Sequence, residues 1–275
     1  MEGLIIKNIS DLYVVKSHNK YYNCKAKGVF RNKHIIPVVG DRVLFDNEKL
    51  VITEILERRN ELIRPMVSNV DQAFIVTSTI NPSFSTYLID KLILLTEYNN
   101  IKPILIISKV DLNDEYDKYL DYYKSLGYTV VKNNEIDKIK KLLENKITVI
   151  TGQSGVGKST LLNKLDSNLE LKTNEISYAL GRGKHTTRHT EIFEVSNGYI
   201  IDTPGFSSLE LSMTKEDIRD NFIEFDKYKD KCKYRDCMHL NENDCMIKEL
   251  VENGTILKSR YENYTKFISE IKSIY

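Results

Sequence analysis

Residues 147–160 read ITVITGQSGVGKST. Ile147, Thr148, Val149 and Ile150 form a β-branched run of the kind that buried strands use. The run breaks at Gly152, and helical spacing resumes at Lys158 with Leu161, Leu162 and Leu165. Between them stand Gly152, Gln153, Ser154, Gly155, Val156, Gly157, Lys158 and Ser159, followed by Thr160, the spacing of a phosphate-binding P-loop. The chemistry dictates these residue types. Main-chain N–H groups must point inward at phosphate oxygens, and glycine leaves them room. Lys158 supplies a point charge for the β- and γ-phosphates, which makes it the first catalytic candidate, and the Ser159 hydroxyl suits Mg²⁺. The following helix N-terminus adds a favourable dipole for the anion.

Upstream, from Val70, strand and helix patterns alternate. Ala73–Thr77, Pro103–Ile107 and Tyr128–Val131 read as strands, and Ser85–Tyr98, Tyr116–Leu126 and Ile136–Leu143 as helices. The near-continuous apolar runs are those of buried parallel strands, which gives a doubly wound α/β domain. Before it, residues 1–64 are all-β. Short runs at Leu4–Ile6, Leu12–Val15, Tyr21–Ala26, Ile35–Val39, Arg42–Phe45 and Leu50–Ile52 are separated by turn-prone pairs such as His18-Asn19. Five or six strands in so short a stretch predict a small closed barrel of the OB type. Glu57–Pro65 is polar, ends in proline and reads as the linker. After the P-loop helix, Asn174–His189 reads as a loop, and Thr190–Val195 and Tyr199–Ile201 as a hairpin about Asn197-Gly198. From Thr214 the chain is helical and charged. Its last stretch carries Leu257, Tyr261, Tyr264, Phe267, Ile268 and Ile271 on one face, expected to pack within its own domain.

Charge is uneven along the chain. The net charge of +1 over 275 residues divides into 12 Lys and Arg against 8 Asp and Glu in residues 1–65, and 28 against 31 in the remainder. A basic N-terminal module suits a nucleic-acid surface, and a solvated charged face accounts for the excess equally well. No apolar run approaches the ~20 residues needed to cross a bilayer, so no membrane partner is expected. No basic region precedes the apolar residues of the N-terminus, so no signal peptide is expected, and the localisation expected is cytoplasmic.

Three more motifs carry chemistry. Ser108-Lys109-Val110-Asp111 follows the Pro103–Ile107 strand and resembles the base-reading N/T-K-x-D element of GTPases, with Ser108 where Asn is usual. A carboxylate at Asp111 accepts from guanine N1–H and the exocyclic amine together, and repels the bare N1 acceptor of adenine. Asp202-Thr203-Pro204-Gly205 fits D-x-x-G, with Asp202 on Mg²⁺ through water and the Gly205 N–H near the γ-phosphate. Thr186 and Thr187 are candidates for the threonine that caps Mg²⁺. Phe206 stands where a water-orienting Gln is found in Ras-like enzymes, which leaves His185 as the nearest polar candidate for that catalytic role, with an RNA contact as its alternative. Finally, Cys232-x₄-Cys237-x-His239-x₅-Cys245 offers three thiolates and an imidazole, the donor set of a tetrahedral structural Zn²⁺.

The order of these motifs is unusual. The base-reading element at 108–111 precedes both the P-loop at 152–159 and D-x-x-G at 202–205, whereas in Ras-like GTPases it follows both. A site needs its strand ends adjacent in space rather than in sequence, so circular permutation keeps the pocket. The permuted order, the N-terminal barrel, GRGKHTT at Gly181–Thr187, RPMVSNVDQAFIV at Arg64–Val76 and the Cys/His cluster together resemble the small ribosomal subunit biogenesis GTPases, the RsgA family. The resemblance spans essentially the whole chain. It implies an OB barrel over 1–64, a permuted GTPase domain over 65–213 and a zinc-binding domain over 214–275. It also implies GTP and GDP as ligands and a GTPase that binds the small (30S) subunit and its rRNA late in assembly. A monomer is expected. The usual Ser-Ala base contact is not evident; Lys132-Asn133-Asn134 occupies about that place. The rival reading is a non-switching RNA-binding module in which nucleotide only stabilises the fold.

Overall fold

The computed structural model describes residues 1–9, 11–28, 30, 35–63, 66–110, 116–166, 192–202 and 211–271. The N-terminal strands are β1 (Glu2–Ile9), β2 (Leu12–Ser17), β3 (Lys20–Ala26), β4 (Arg42–Asp46) and β5 (Val51–Ile55), closed into a barrel in the order β1-β2-β3-β5-β4. Period-2 alternation turns Ile5, Val15, Cys24, Val43, Phe45 and Ile52 inward, each no more than 1% exposed. His18 and Asn19 both have positive φ, as a two-residue hairpin turn requires.

Two sequence expectations give way here. Ile35–Val39 is not a strand. Its N–H groups find other acceptors, Ile35 on Phe30 O at 3.0 Å and Val38 on the Asp41 carboxylate at 2.8 Å. Val39 alone makes a bridge, to Val67. The Glu57–Pro65 linker, in turn, contains a strand: β6 (Glu61–Ile63) pairs antiparallel with β7 (Met66–Ser68). The fully buried Asp41 carboxylate anchors this arm to the barrel. It takes two hydrogen bonds from Arg58 at 2.7 and 2.9 Å and one from the Ser68 hydroxyl at 2.6 Å.

The second sheet comprises β8 (Gln72–Ser78), β9 (Lys102–Ser108), β10 (Thr129–Lys132), β11 (Ile147–Thr151), β12 (Ile192–Val195) and β13 (Gly198–Asp202). Its order is β10-β9-β8-β11-β13-β12, parallel throughout except for the β12–β13 hairpin at one edge. Helices α1 (Thr86–Tyr98), α2 (Asp117–Ser125), α3 (Ile136–Leu143) and α4 (Lys158–Leu165) connect and cover it. Ser85 caps α1 by accepting from Leu88 N. The strands are apolar on both faces because both are covered: Phe74, Ile104, Ile106 and Ile150 face one core, and Ile75, Leu105, Ile107 and Val149 the other.

The C-terminal part holds α5 (Lys215–Asp220), α6 (Ile223–Asp226), α7 (Met246–Glu252) and α8 (Lys258–Glu270). A capping box between Thr214 and Asp217 starts α5. The apolar stripe of α8 does more than pack within its own module: it also packs on α1. Tyr87 and Phe267 rings lie 5.0 Å apart, and the Tyr87 hydroxyl donates to Glu270. Beneath them Arg260, 2% exposed, binds Glu224 with two nitrogens at 2.7 and 3.0 Å and Asp90 at 2.8 Å, and its guanidinium lies 4.3 Å from the Phe222 ring centre. Asn263 and Tyr123 complete the Asp90 shell at 2.6 and 2.5 Å.

Arg260→Ala leaves two carboxylates buried without a cation, so unfolding free energy from urea titration should fall by roughly 3–5 kcal/mol. On α1, burial pushes Glu97 up to about 7, against the hydrogen bond from Tyr128 that favours its ionised form. The native carboxyl then holds a proton between its ordinary 4.5 and about 7, where the unfolded chain has lost it. Its contribution to stability is therefore fully present on the acid side and falls as pH rises through that window. Glu97→Gln should remove this dependence, and stability curves at acid and alkaline pH should show a wild-type loss, on the order of 2 kcal/mol, that the variant lacks.

Candidate nucleotide site and metal centre

Parallel register brings the phosphate and base motifs to one edge of the sheet. Thr151, the last residue of β11, pairs with Ile75 on β8; Ser78 at the end of β8 pairs with Ser108 at the end of β9; Asp202 at the end of β13 pairs with Ile150. The P-loop leaves β11 at this edge and enters α4 at Lys158. Gly152, Gly155 and Gly157 all have positive φ. A Cβ on Gly152 would lie 2.1 Å from Val76 O, so backbone approach as well as conformation demands glycine there. The Lys158 ammonium curls over the loop and donates to Gly152 O and Gln153 O at 2.8 Å each. Val156 and Ser159 are buried, while Ser154, Gly155 and Thr160 are exposed.

The base-reading strand is fastened to this loop. The Ser108 hydroxyl lies 2.7 Å from Val156 O and 3.1 Å from Thr77 O, and the side chain is buried. It ties β9, β8 and the P-loop together. Lys109, at positive φ, sends its ammonium across to Ile80 O at 3.1 Å, Asn81 O and Gly155 O at 3.5 Å, while Thr79 donates to Lys109 O at 2.5 Å. No motif in the sequence marks the part played by Thr79–Asn81. Beside them, Asn133 N donates to Ile107 O at 2.8 Å, which sets the Lys132-Asn133-Asn134 turn next to the Ser108 strand end. Asp111, His185, Thr186, Thr187 and Gly205 lie outside the described residues.

The second cluster is metal-like. The ligand atoms of Cys232, Cys237, His239 and Cys245 all lie within 4.8 Å of one another. His239 Nδ1 stands 3.6 Å from Cys232 Sγ and 3.4 Å from Cys245 Sγ. Zinc bonds of about 2.3 Å to sulfur and 2.0–2.1 Å to nitrogen at a tetrahedral angle give an edge of about 3.5 Å, so the donors are already at ligand spacing. Burial lifts Cys237 to about 12 and raises Cys245, although main-chain N–H groups at both sulfurs oppose it, and burial lowers His239 to about 4. The imidazole is thus held in its neutral, ligating form, and a divalent cation would supply the charge that the thiolates need.

Supports surround the metal loop. Glu242 accepts from Met238 N and Leu240 N at 2.7 Å each, on either side of His239. Tyr261 donates to His239 O and Tyr264 to Met238 O, both at 2.6 Å, and the Phe225 ring meets the imidazole edge-on. The sequence showed the two tyrosines only as part of an apolar stripe; their i, i+3 spacing puts both hydroxyls on one loop.

Phosphate loop, base-reading strand end and Asp202 strand end on one sheet edge, reached in permuted order, define a circularly permuted P-loop GTPase domain behind a closed five-stranded barrel. Comparison with known proteins agrees. The RsgA GTPase family model matches residues 55–212 and the RsgA N-terminal domain model residues 2–51. The small ribosomal subunit biogenesis GTPase RsgA of Bacillus cereus is 45% identical over 98% of this chain and 97% of its own. RsgA 2 of Oceanobacillus iheyensis is 46% identical over 99% and 98%. Among solved structures, YloQ, a circularly permuted GTPase, superposes with a TM-score of 0.83 at 38% identity, covering 100% of this chain and 96% of that one. YjeQ from Thermotoga maritima gives 0.83 at 35% identity, covering 98% and 97%. The chain belongs to the RsgA GTPase family, and its enzymatic activity is GTP hydrolysis.

Proposed function

We propose that this GTPase binds the small (30S) ribosomal subunit, contacts its rRNA, and hydrolyses GTP to GDP and phosphate there during late maturation, as a cytoplasmic monomer. The observation that carries the reading is the shared sheet edge, where the Ser108 hydroxyl links the base-reading strand to the P-loop at 2.7 Å, together with relatives named for small-subunit biogenesis. Among the described residues no helix is long and apolar enough to cross a membrane. The division into 1–64, 65–213 and 214–275 is part of the same reading.

Within it, main-chain N–H groups of Gly152–Thr160 cradle the phosphates and Lys158 neutralises charge that spreads over the γ-phosphoryl oxygens in the transition state. Ser159, Asp202 and Thr187 serve Mg²⁺, with Thr186 the alternative to Thr187, and Gly205 faces the γ-phosphate. Asp111 reads the guanine edge, Lys109 lies along the base, and Ser108 acts through its hold on Val156 rather than on the base. His185 is the candidate for orienting water. The Cys₃His set, buried but for the partly exposed Cys232, holds one structural Zn²⁺, whose charge keeps the thiolates ionised.

Lys158→Ala should abolish multiple-turnover GTP hydrolysis with or without small subunits, and Asp111→Asn should shift affinity from guanine towards xanthine nucleotides. Retained turnover in Lys158→Ala, or a wild type that binds ATP as well as GTP, would refute the assignment. Zinc should be found at one ion per chain by elemental analysis. Cys237→Ser should lose it, and the wild type should unfold at lower temperature after chelation, because ligand binding energy is folding energy here.

A further inference from the structure

Where the barrel meets the edge hairpin of the GTPase sheet, it holds one carboxylate by both oxygens. Glu194 on β12 accepts from the Lys16 ammonium at Oε2 (2.5 Å) and from the Tyr21 hydroxyl at Oε1 (2.8 Å). Lys16 and Tyr21 are register partners on β2 and β3 of the barrel. Lys16 also lies 5.4 Å from the ring centre of Tyr199, which is the register partner of Glu194 on β13. Both oxygens of one anion are therefore held by a cation and a hydroxyl on a basic barrel, the donor pair that a phosphodiester would also take. Burial alone would raise the Glu194 carboxyl, but its two donors hold it below the usual range, so it sits there as an anion. The contact reaches solvent: the side chains of Lys16 and Glu194 are 14% and 42% exposed. The pair is open to water on the Glu194 side, which leaves the place of that carboxylate within reach of another anion.

The place of the hairpin gives the contact its consequence. β12 follows the segment that contains Thr186 and Thr187, and β13 ends in Asp202. We propose that Lys16 and Tyr21 form an RNA-phosphate site on the barrel that Glu194 occupies as an internal substitute, so that an RNA backbone arriving there displaces Glu194 and parts the barrel from the hairpin that ends in Asp202. The proposal rests on the reading of the barrel as an RNA-binding module. In the latched state the hairpin is held against the barrel and turnover is low; RNA binding exchanges one anion for another and releases it. Binding of RNA and release of the hairpin are then one equilibrium, so each favours the other by the same factor.

Two substitutions in the full chain break the same ion pair and separate this from a merely structural contact. Glu194→Gln removes the competitor and leaves the site; Lys16→Met removes both. GTP turnover without subunits should rise in both variants. Affinity for a fluorescein-labelled uridine dodecamer, read by anisotropy at one fixed salt concentration, should move in opposite directions: tighter by up to about fivefold in Glu194→Gln and weaker in Lys16→Met. Affinities that shift the same way, or turnover that rises in neither variant, would overturn the latch while leaving the GTPase reading intact. A wild type that hydrolyses GTP but has no affinity for the dodecamer at low salt would overturn the RNA role of the barrel and the proposal with it.

Discussion

A nucleotide can be gripped by this fold only if strand ends from distant parts of the chain stop in one plane. Parallel register enforces that. β9, β8, β11 and β13 run side by side with their C-terminal ends together, so the Ser108 strand end, the P-loop and Asp202 share an edge whatever their order along the chain. The Ser108 hydroxyl on Val156 O is the lock on that alignment. Slippage of β9 by one residue would turn Ser108 to the other face and leave the P-loop carbonyl without its partner. Permutation is tolerated because this constraint concerns which ends are neighbours, not how they are joined.

Two of the contacts between the outer modules and this sheet domain differ in kind. Arg260 is enclosed by Asp90, Glu224 and the Phe222 ring, out of reach of water. Buried charges of this sort hold geometry tightly because every alternative leaves one of them unpaired. Helix α8 bears this guanidinium and also the tyrosines that grip the metal loop, so the Cys₃His cluster and α1 are referenced to a single helix. Glu194 reaches the barrel through a pair that is open to water on the carboxylate side and lacks such an enclosed charge network. That difference separates them: the C-terminal module travels with the sheet, whereas the barrel is held weakly at the edge hairpin and firmly through the Asp41 arm.

Legibility followed whether chemistry leaves a spacing. The P-loop demands glycines at set intervals, and the Cys and His of the metal centre are rare residues placed close together, so both were readable. Helix Ile136–Leu143 was readable to the residue from its apolar period. Ile35–Val39 looked like a strand because it is apolar and β-branched, but a strand is made by a ladder, and apart from one bridge at Val39 its N–H partners are Phe30 O and a carboxylate. Asp90 and Arg260 were invisible for a different reason. A charge on an amphipathic helix ordinarily faces water, and nothing local distinguishes one that faces another charge 170 positions away. Tyr261 and Tyr264 read as packing because the polar end of a tyrosine leaves no mark on hydrophobic periodicity.

The permuted order also sets what exists first when the chain leaves the ribosome that makes it. Domains form as they emerge, N-terminal parts first. The barrel is complete by Ile55, and β8, β9 and β10 can align by Lys132, before any P-loop residue has been synthesised. At that stage β8 is an open edge, with its main-chain groups offered to any passing strand. It is covered only when β11 arrives, and β11 in its turn waits for β13, which ends at Asp202. A truncated product that stops short of Asp202 therefore carries an unfinished sheet with a sticky flank, whereas the same truncation in the Ras-like order would cost the base-reading strands and spare the phosphate site. For this chain, the strand that leads into the P-loop and the strand that ends at Asp202 are also those that close the nascent sheet.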